Sequence, residues 1–319
     1  MKNLGTGTAS KTLLASVMAG NQLAISRAIT EIENQTLVGF ELSLAADEKA
    51  DQCATVGVTG APGAGKSSLI SALIKELLPT YPRIGVLTVD PSSPISGGAV
   101  LGDRVRMSAH TSNRNVFIRS LAARGHLGGV TQTTQQVINL LAVAGMDLVI
   151  VETVGTGQSE VEIAGIVDAK LVVCAPGMGD NMQAIKAGIL EVADLLVVNK
   201  ADLPDADQTM VFLENMLLYR GQDECRRALK VSATTRDGLT ELSAAVQALL
   251  QEVHDGIAAC SAADNTSEYL AQDIARLAYA AISNGVDERL TVIVEQLANG
   301  NLSRHEAIVQ SINILAEQT

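Results

Sequence analysis

Residues 60–67 constrain the fold of this chain more than any other stretch, because they read Gly-Ala-Pro-Gly-Ala-Gly-Lys-Ser, the G-x-x-x-x-G-K-S pattern. An apolar stretch, residues 53–59, precedes the pattern, and residues 68–78 follow it with apolar side chains at helical spacing. A strand, a glycine-rich loop and a helix N-terminus form a cradle for anions, because backbone N–H groups and the helix dipole both favour negative charge. The pattern therefore predicts a phosphate-binding loop.

Two side chains of this loop carry predicted chemistry. Lys66 should reach the β- and γ-phosphates of a nucleotide, and Ser67 should ligate Mg²⁺. The glycines allow a close approach of phosphate that a Cβ would hinder. The predicted nucleotide contacts of the loop are Gly60, Ala61, Pro62, Gly63, Ala64, Gly65, Lys66, Ser67 and Ser68.

From residue 53 onward, short apolar stretches alternate with helical patterns. Several of the apolar stretches are near-continuous runs of Val, Ile and Leu, which are typical of parallel strands buried on both faces. This alternation predicts an α/β fold with a doubly wound, mostly parallel sheet and a ligand site beyond the carboxyl ends of its strands. The predicted strands are 53–59, 84–89, 115–119, 147–152, 169–175, 194–199 and 228–232.

Acidic and basic residues follow several of these strands. Glu152 ends the run Leu-Val-Ile-Val, as in a Walker B strand, and Asp90 ends another strand, so both are predicted to meet Mg²⁺. Gly155 can present its N–H to a γ-phosphate. Lys186 is open to two interpretations, a contact with phosphate or a partner, and a solvated lysine on a helix.

The sequence Asn199-Lys200-Ala-Asp202 after a further strand predicts selection of guanine. Asp202 can accept from the guanine N1–H and exocyclic amine, whereas adenine has no donor at N1 and would leave the carboxylate unpaired. Asn199 should contact N7 and O6, and Lys200 should lie over the ring. Ser232 and Ala233 follow the last strand, where a backbone N–H could contact guanine O6.

Composition excludes several function classes. The net charge of −12 disfavours binding to nucleic acid or to anionic membranes, and a 2% aromatic content provides few side chains for base stacking. The four cysteines have no C-x-x-C spacing and are interpreted as reduced thiols. Without a signal segment or an apolar run of membrane-spanning length, we expect a cytoplasmic protein.

Helical patterns flank the predicted sheet on both sides. Residues 1–51 form an N-terminal helical segment, with two predicted helices and a polar connector over residues 44–51. The sheet domain is predicted over residues 52–255. Residues 256–319 form a helical C-terminal extension, interpreted either as packing back on its own domain or as a dimerisation arm.

Taken together, these motifs resemble the methylmalonyl-CoA mutase-associated GTPase family, MeaB/ArgK, within the SIMIBI class of P-loop GTPases. The resemblance extends from about residue 10 to residue 250. It is carried by Gly60–Ser68, Val89–Ser93, Gly97-Gly98, Leu101–Asp103, Arg106-Met107, Leu127–Gly129, Val151–Gly155, Gly157–Glu160 and Asn199–Leu203.

The resemblance implies a G-protein chaperone that supports cofactor loading, protection and reactivation of an adenosylcobalamin-dependent acyl-CoA mutase. It implies Mg²⁺ contacts for Ser67, Asp90, Asp103 and Glu152. It implies phosphate or switch roles for Arg106, Gln183 and Lys186, and a homodimer through the C-terminal helices. With Lys66 and Glu152, Arg106 and Lys186 make up the predicted catalytic set.

Intrinsic hydrolysis of GTP to GDP and phosphate is predicted to be slow, because Gln158 does not directly follow Gly155, where Ras-like enzymes keep a water-positioning Gln. Three alternatives are weighed. A nickel-insertion GTPase of the same class would need clustered Cys and His ligands, and a kinase would need a phosphoacceptor site. A binding module in which hydrolysis is incidental is the third.

Overall fold

The computed structural model describes residues 6–48, 53–91, 110, 113–123, 129–153, 164–177, 193–219 and 227–259, together with positions 292 and 296. The described helices are α1 (Thr6–Met18), α2 (Gln22–Glu33), α3 (Leu37–Asp47), α4 (Lys66–Leu77), α5 (Gly129–Val143), α6 (Ala206–Tyr219) and α7 (Leu239–Ala259). The described strands are β1 (Ala54–Gly60), β2 (Ile84–Pro91), β3 (Val116–Ala123), β4 (Leu148–Thr153), β5 (Ala169–Cys174), β6 (Leu195–Val198) and β7 (Arg227–Lys230).

The strands form one parallel sheet in the order β3-β2-β4-β1-β5-β6-β7. The predicted α/β fold with a doubly wound sheet is therefore confirmed, and each predicted strand is present with small differences at its ends. The largest difference is in β3, which ends at Ala123 rather than at residue 119. Chain order reverses around β1, whose neighbours are β4 and β5. Ligands of such sheets bind at this kind of switch point, beyond the carboxyl ends of the strands.

Both faces of the sheet are covered by apolar side chains. On one face, α4 and α7 bury residues such as Leu73 and Leu242 against β1 and β4. On the other face, α5 and the N-terminal helices bury residues such as Ile29 and Leu141. This two-sided burial explains why the strands read as continuous apolar runs rather than as alternating ones.

The N-terminal segment contains three helices, not two, and the predicted polar connector was wrong over residues 44–47, which belong to α3. Thr36 caps α3, because its hydroxyl oxygen accepts from the N–H of Gly39 at 3.0 Å. Gly39 lies inside the helix, where glycine lowers helix propensity and obscures the pattern. It is needed there because a Cβ would lie 2.1 Å from the carbonyl oxygen of Glu31.

The chain divides into two compact units, residues 1–253 and residues 254–319. Of the second unit only 254–259, 292 and 296 are described, so the predicted dimerisation arm over residues 256–319 stays a prediction. Within the described part of the chain, no helix combines the length and the apolar character needed to cross a membrane.

Candidate nucleotide-binding site

The phosphate loop joins the carboxyl end of β1 to the first residue of α4, as its sequence predicts. Gly60, Gly63 and Gly65 have φ values of 140°, 81° and 86°, which residues with a Cβ rarely adopt. A Cβ on Gly60 would lie 2.0 Å from the carbonyl oxygen of Val173 in β5. A Cβ on Gly65 would lie 2.5 Å from Nδ2 of Asn199. Gly60 and Gly65 are thus required by packing as well as by conformation.

The first turn of α4 is oriented to receive an anion. Gly65, the residue before the helix, has no side chain that could accept from the first N–H groups of α4. Lys66 and Ser67 follow and are both buried. The Lys66 ammonium donates to the carbonyl oxygens of Gly60 at 2.7 Å and Ala61 at 3.2 Å. These bonds hold the predicted phosphate-contacting cation against the loop.

Two predicted Mg²⁺ ligands meet at this turn. Oγ of Ser67 donates to Oε1 of Glu152 in β4 at 2.7 Å, and both side chains are buried. A hydroxyl and a carboxylate are oxygen ligands of the kind Mg²⁺ prefers, so the pair fits the cation. Asp90 lies two residues beyond Thr88, which pairs in register with Glu152, so its backbone is at the same end of the sheet. The side chain of Asp90 is outside the described residues.

Asp103, Arg106, Gly155, Gln183 and Lys186 lie outside the described residues, and their roles stay predictions.

Asn199 joins the phosphate loop to the base side of the site. Its Nδ2 donates to the carbonyl oxygens of Ala64 at 2.9 Å and Gly65 at 3.3 Å. Its Oδ1 accepts from the N–H of Ala233 at 3.3 Å, and the residue is 1% exposed. The amide therefore ties three loops together, a role that the sequence analysis did not assign to it. The predicted contact of Asn199 with guanine N7 and O6 stays a prediction.

Lys200 and Asp202 are also held by neighbouring loops. The Lys200 ammonium donates to the carbonyl oxygen of Gly63 at 2.8 Å, and its φ of 60° is unusual for a residue with a side chain. Oγ of Ser232 donates to Oδ1 of Asp202 at 2.6 Å and accepts from the N–H of Thr235 at 3.1 Å. The Ser232 hydroxyl holds the pKa of the exposed Asp202 carboxyl below its usual range, helped by a backbone hydrogen bond and by Lys200. Asp202 is therefore presented as an ionised acceptor.

The side-chain role of Ser232 was not predicted from the sequence, which indicated only a backbone contact with guanine at this position. The sequence signal for this role was a serine after the last strand, in a loop expected to lie near the Asp of N-K-x-D. The bond from Ser232 to Asp202 joins two loops that are 30 residues apart, whereas the bond from Thr235 lies within one loop.

The described cysteines contribute no reactive thiol to this site, although the carbonyl oxygen of Cys174 accepts from the N–H of Asn199 at 2.9 Å. Burial raises the pKa of the Cys174 thiol to about 12, and burial together with Asp147 and Asp168 raises that of Cys53 to about 12. Neutral thiols are poor nucleophiles and poor metal ligands. Among the residues that the structure places, no group of three or more His, Cys, Asp and Glu side chains could hold a metal ion.

A profile of the family described as methylmalonyl Co-A mutase-associated GTPase MeaB matches residues 25–284. The chain is 42% identical over 236 residues to a putative GTPase of Pyrococcus abyssi, a match covering 72% of each chain. It is 42% identical over 194 residues to GTPase ArgK of Escherichia coli, covering 59% of this chain and 58% of that one. It is 41% identical over 193 residues to the mouse protein named methylmalonic aciduria type A homolog, mitochondrial.

The mouse match covers 59% of this chain and 46% of the relative. The matches thus span less than two thirds of the length of the bacterial and mouse relatives. Among solved structures, the chain is similar to the LAO/AO transport system kinase, with 26% identity, a TM-score of 0.66 and full coverage of both chains.

Proposed function

The chain belongs to the family of methylmalonyl-CoA mutase-associated GTPases MeaB, and we propose that it hydrolyses GTP as the switch of a chaperone for an adenosylcobalamin-dependent acyl-CoA mutase. The observation that carries the nucleotide part is the Asn199 amide, which bonds to the phosphate loop through Ala64 and to the base-side loop through Ala233. One nucleotide can therefore contact both loops at once. GDP and Mg²⁺ complete the proposed ligand set.

Guanine selection follows from the Asp202 carboxylate. Its low pKa keeps it an acceptor, and guanine offers two neighbouring donors, N1–H and the exocyclic amine. Adenine offers no donor at N1, so the carboxylate would lose a hydrogen-bond partner on desolvation. Ser232 occupies one side of Oδ1 and so orients the carboxylate.

Hydrolysis is proposed to depend on charge stabilisation at the start of α4. The Lys66 ammonium and the backbone N–H groups of that turn would stabilise negative charge on the transferred phosphoryl group. Ser67 and Glu152 would hold Mg²⁺, together with Asp90 and Asp103. When bound, Mg²⁺ neutralises the charge that develops on the phosphate oxygens. Arg106 and Lys186 are proposed to act at the γ-phosphate.

The mutase partner is supported by the family description and by the name of the mouse relative. We also propose that turnover is slow in the isolated protein. The chain would form a homodimer through residues 256–319 and would act in the cytoplasm.

Phosphate release measured with and without a candidate acyl-CoA mutase tests this function. We expect slow release from GTP alone and faster release when the mutase is added. Fast release by the isolated protein, unchanged by any adenosylcobalamin-dependent mutase, would contradict the proposed switch. Nickel-dependent stimulation in place of the mutase effect would favour the metallochaperone alternative.

A further inference from the structure

His110 is a buried residue that none of the site motifs includes. It is 3% exposed, and its Nε2 lies 2.8 Å from the carbonyl oxygen of Ser71 and 3.1 Å from the Ser71 hydroxyl oxygen. A carbonyl oxygen only accepts hydrogen bonds, so Nε2 carries the proton in this contact. The imidazole is therefore a donor to the backbone of α4.

Ser71 lies on the same face of α4 as Ser67. The two serines are four residues apart, and side chains at that spacing are neighbours on a helix surface. Glu152 bonds to Ser67 from β4, and His110 bonds to Ser71 one helical turn further on. Two buried side chains thus hold successive turns of one helix face.

His110 is itself fixed to the edge of the sheet. Its carbonyl oxygen accepts from the N–H of Asn113 at 3.0 Å, and the carbonyl oxygen of Asn113 accepts from the first residue of β3, Val116, at 3.1 Å. The carbonyl oxygen of Asn115 accepts from the N–H of Ile84, the first residue of β2, at 2.9 Å. The turn that carries His110 is therefore linked to two strands. Through His110, these strands are linked to α4.

We propose that His110 is a positioning residue for GTP hydrolysis, which acts through Ser71 and α4 to hold Ser67 opposite Glu152. The inference rests on the proposed function, because Ser67 and Glu152 are its Mg²⁺ ligands. A displacement of a ligand by about 1 Å can cost about 100-fold in rate, so a bond one turn away has a measurable effect on turnover. The base-side contacts of Asn199 and Asp202 do not depend on His110.

His110→Phe and His110→Gln separate the effect of the hydrogen bond to Ser71 from the effect of the buried side-chain volume. Phenylalanine fills the space but has no donor, whereas the glutamine amide can donate to the same carbonyl oxygen. We expect His110→Phe to lower kcat for GTP by about 10-fold or more and to raise the Mg²⁺ concentration needed for half-maximal binding of a fluorescent GTP analogue. His110→Gln should restore most of both. Affinity for GDP in EDTA should change little, and the Tm of His110→Phe should fall by only about 2–4 °C, as expected for the loss of one buried hydrogen bond.

His254→Phe is the matched control, because His254 is an exposed histidine on α7. If His110→Phe does not fold, His110→Leu removes the donor with a smaller side chain. Unchanged kcat and Mg²⁺ dependence in a donor-less variant would overturn the proposal. The proposal would also be overturned if His110→Gln and the donor-less variant lost kcat equally and if that loss followed a fall in Tm.

Failure of the proposed function gives a different result. If the wild-type chain binds GTP but does not hydrolyse it, the Mg²⁺ dependence of binding still decides the role of His110. A wild-type chain that binds no GTP would overturn both proposals.

Discussion

The hydroxyl of Ser67, in the first turn of α4, donates a hydrogen bond of 2.7 Å to Oε1 of Glu152, a residue of strand β4 that lies 85 positions further along the chain. Both side chains are buried at the carboxyl end of the sheet. The bond brings the last residue of the glycine-rich motif against the acid that precedes the last residue of β4. Two motifs that are separate in sequence therefore share one potential cation site.

Glu152→Gln keeps an acceptor for Ser67 but removes the negative charge. We expect kcat for GTP to fall by about 100- to 1000-fold, as for loss of a group that stabilises charge in the transition state. The Mg²⁺ requirement should rise, whereas GDP affinity in EDTA should be nearly unchanged. Steady-state phosphate release over a Mg²⁺ titration measures the effect. A variant with wild-type Mg²⁺ dependence would show that Glu152 does not serve the cation.

Lys66→Ala removes the ammonium that lies against Gly60 and Ala61. Phosphate release should fall by about 100-fold or more, because a cation at the transferred phosphoryl group is lost. Lys75→Ala, an exposed lysine later in the same helix, is the control and should behave as wild type. Equal activity of the two variants would remove Lys66 from the proposed mechanism.

Sequence alone predicted the parts of the site that are local in the chain. The glycine loop, the acid near the carboxyl end of β4 and the N-K-x-D segment are each recognisable within a few residues, and the sheet topology brings them to one end of the sheet. Contacts between distant residues were not predictable. The Ser232–Asp202 bond and the His110–Ser71 bond depend on how loops and helices pack, for which one sequence gives no pattern.

Helix α3 was not predicted from the sequence for a similar reason. Gly39 weakens its local helical pattern, and its stability comes from packing against other helices. The predicted roles of Asp103, Arg106, Gly155 and Lys186 fall outside the described residues and stay predictions.

Asp202→Asn tests the choice of base. An asparagine amide can donate where the carboxylate accepts, so it suits the 2-oxo group of xanthine better than the amine of guanine. GTP affinity should fall by about 10- to 100-fold, since the hydrogen bonds from guanine to a charged acceptor are lost. Affinity for xanthosine triphosphate should rise, as measured by competition with a fluorescent nucleotide. Unchanged GTP affinity would contradict a base contact at Asp202.

Ser232→Ala tests the pH dependence of the same contact. The native pKa of Asp202 is lowered, so its ionised form persists at neutral pH and is lost only as pH falls through that low value. Removing the Ser232 hydroxyl raises the pKa, and the acid limb of GDP binding should move to higher pH. Above about pH 5 both proteins keep the carboxylate ionised. Binding curves from neutral to acid pH with coincident acid limbs would contradict this role.

The most direct test of the account is phosphate release from GTP and from ATP by the purified chain in the presence of Mg²⁺. The account predicts slow but definite release from GTP, with kcat/KM for GTP at least about 100-fold above that for ATP, because Asp202 is left unpaired by adenine. Equal use of the two nucleotides, or release from ATP alone, would contradict it.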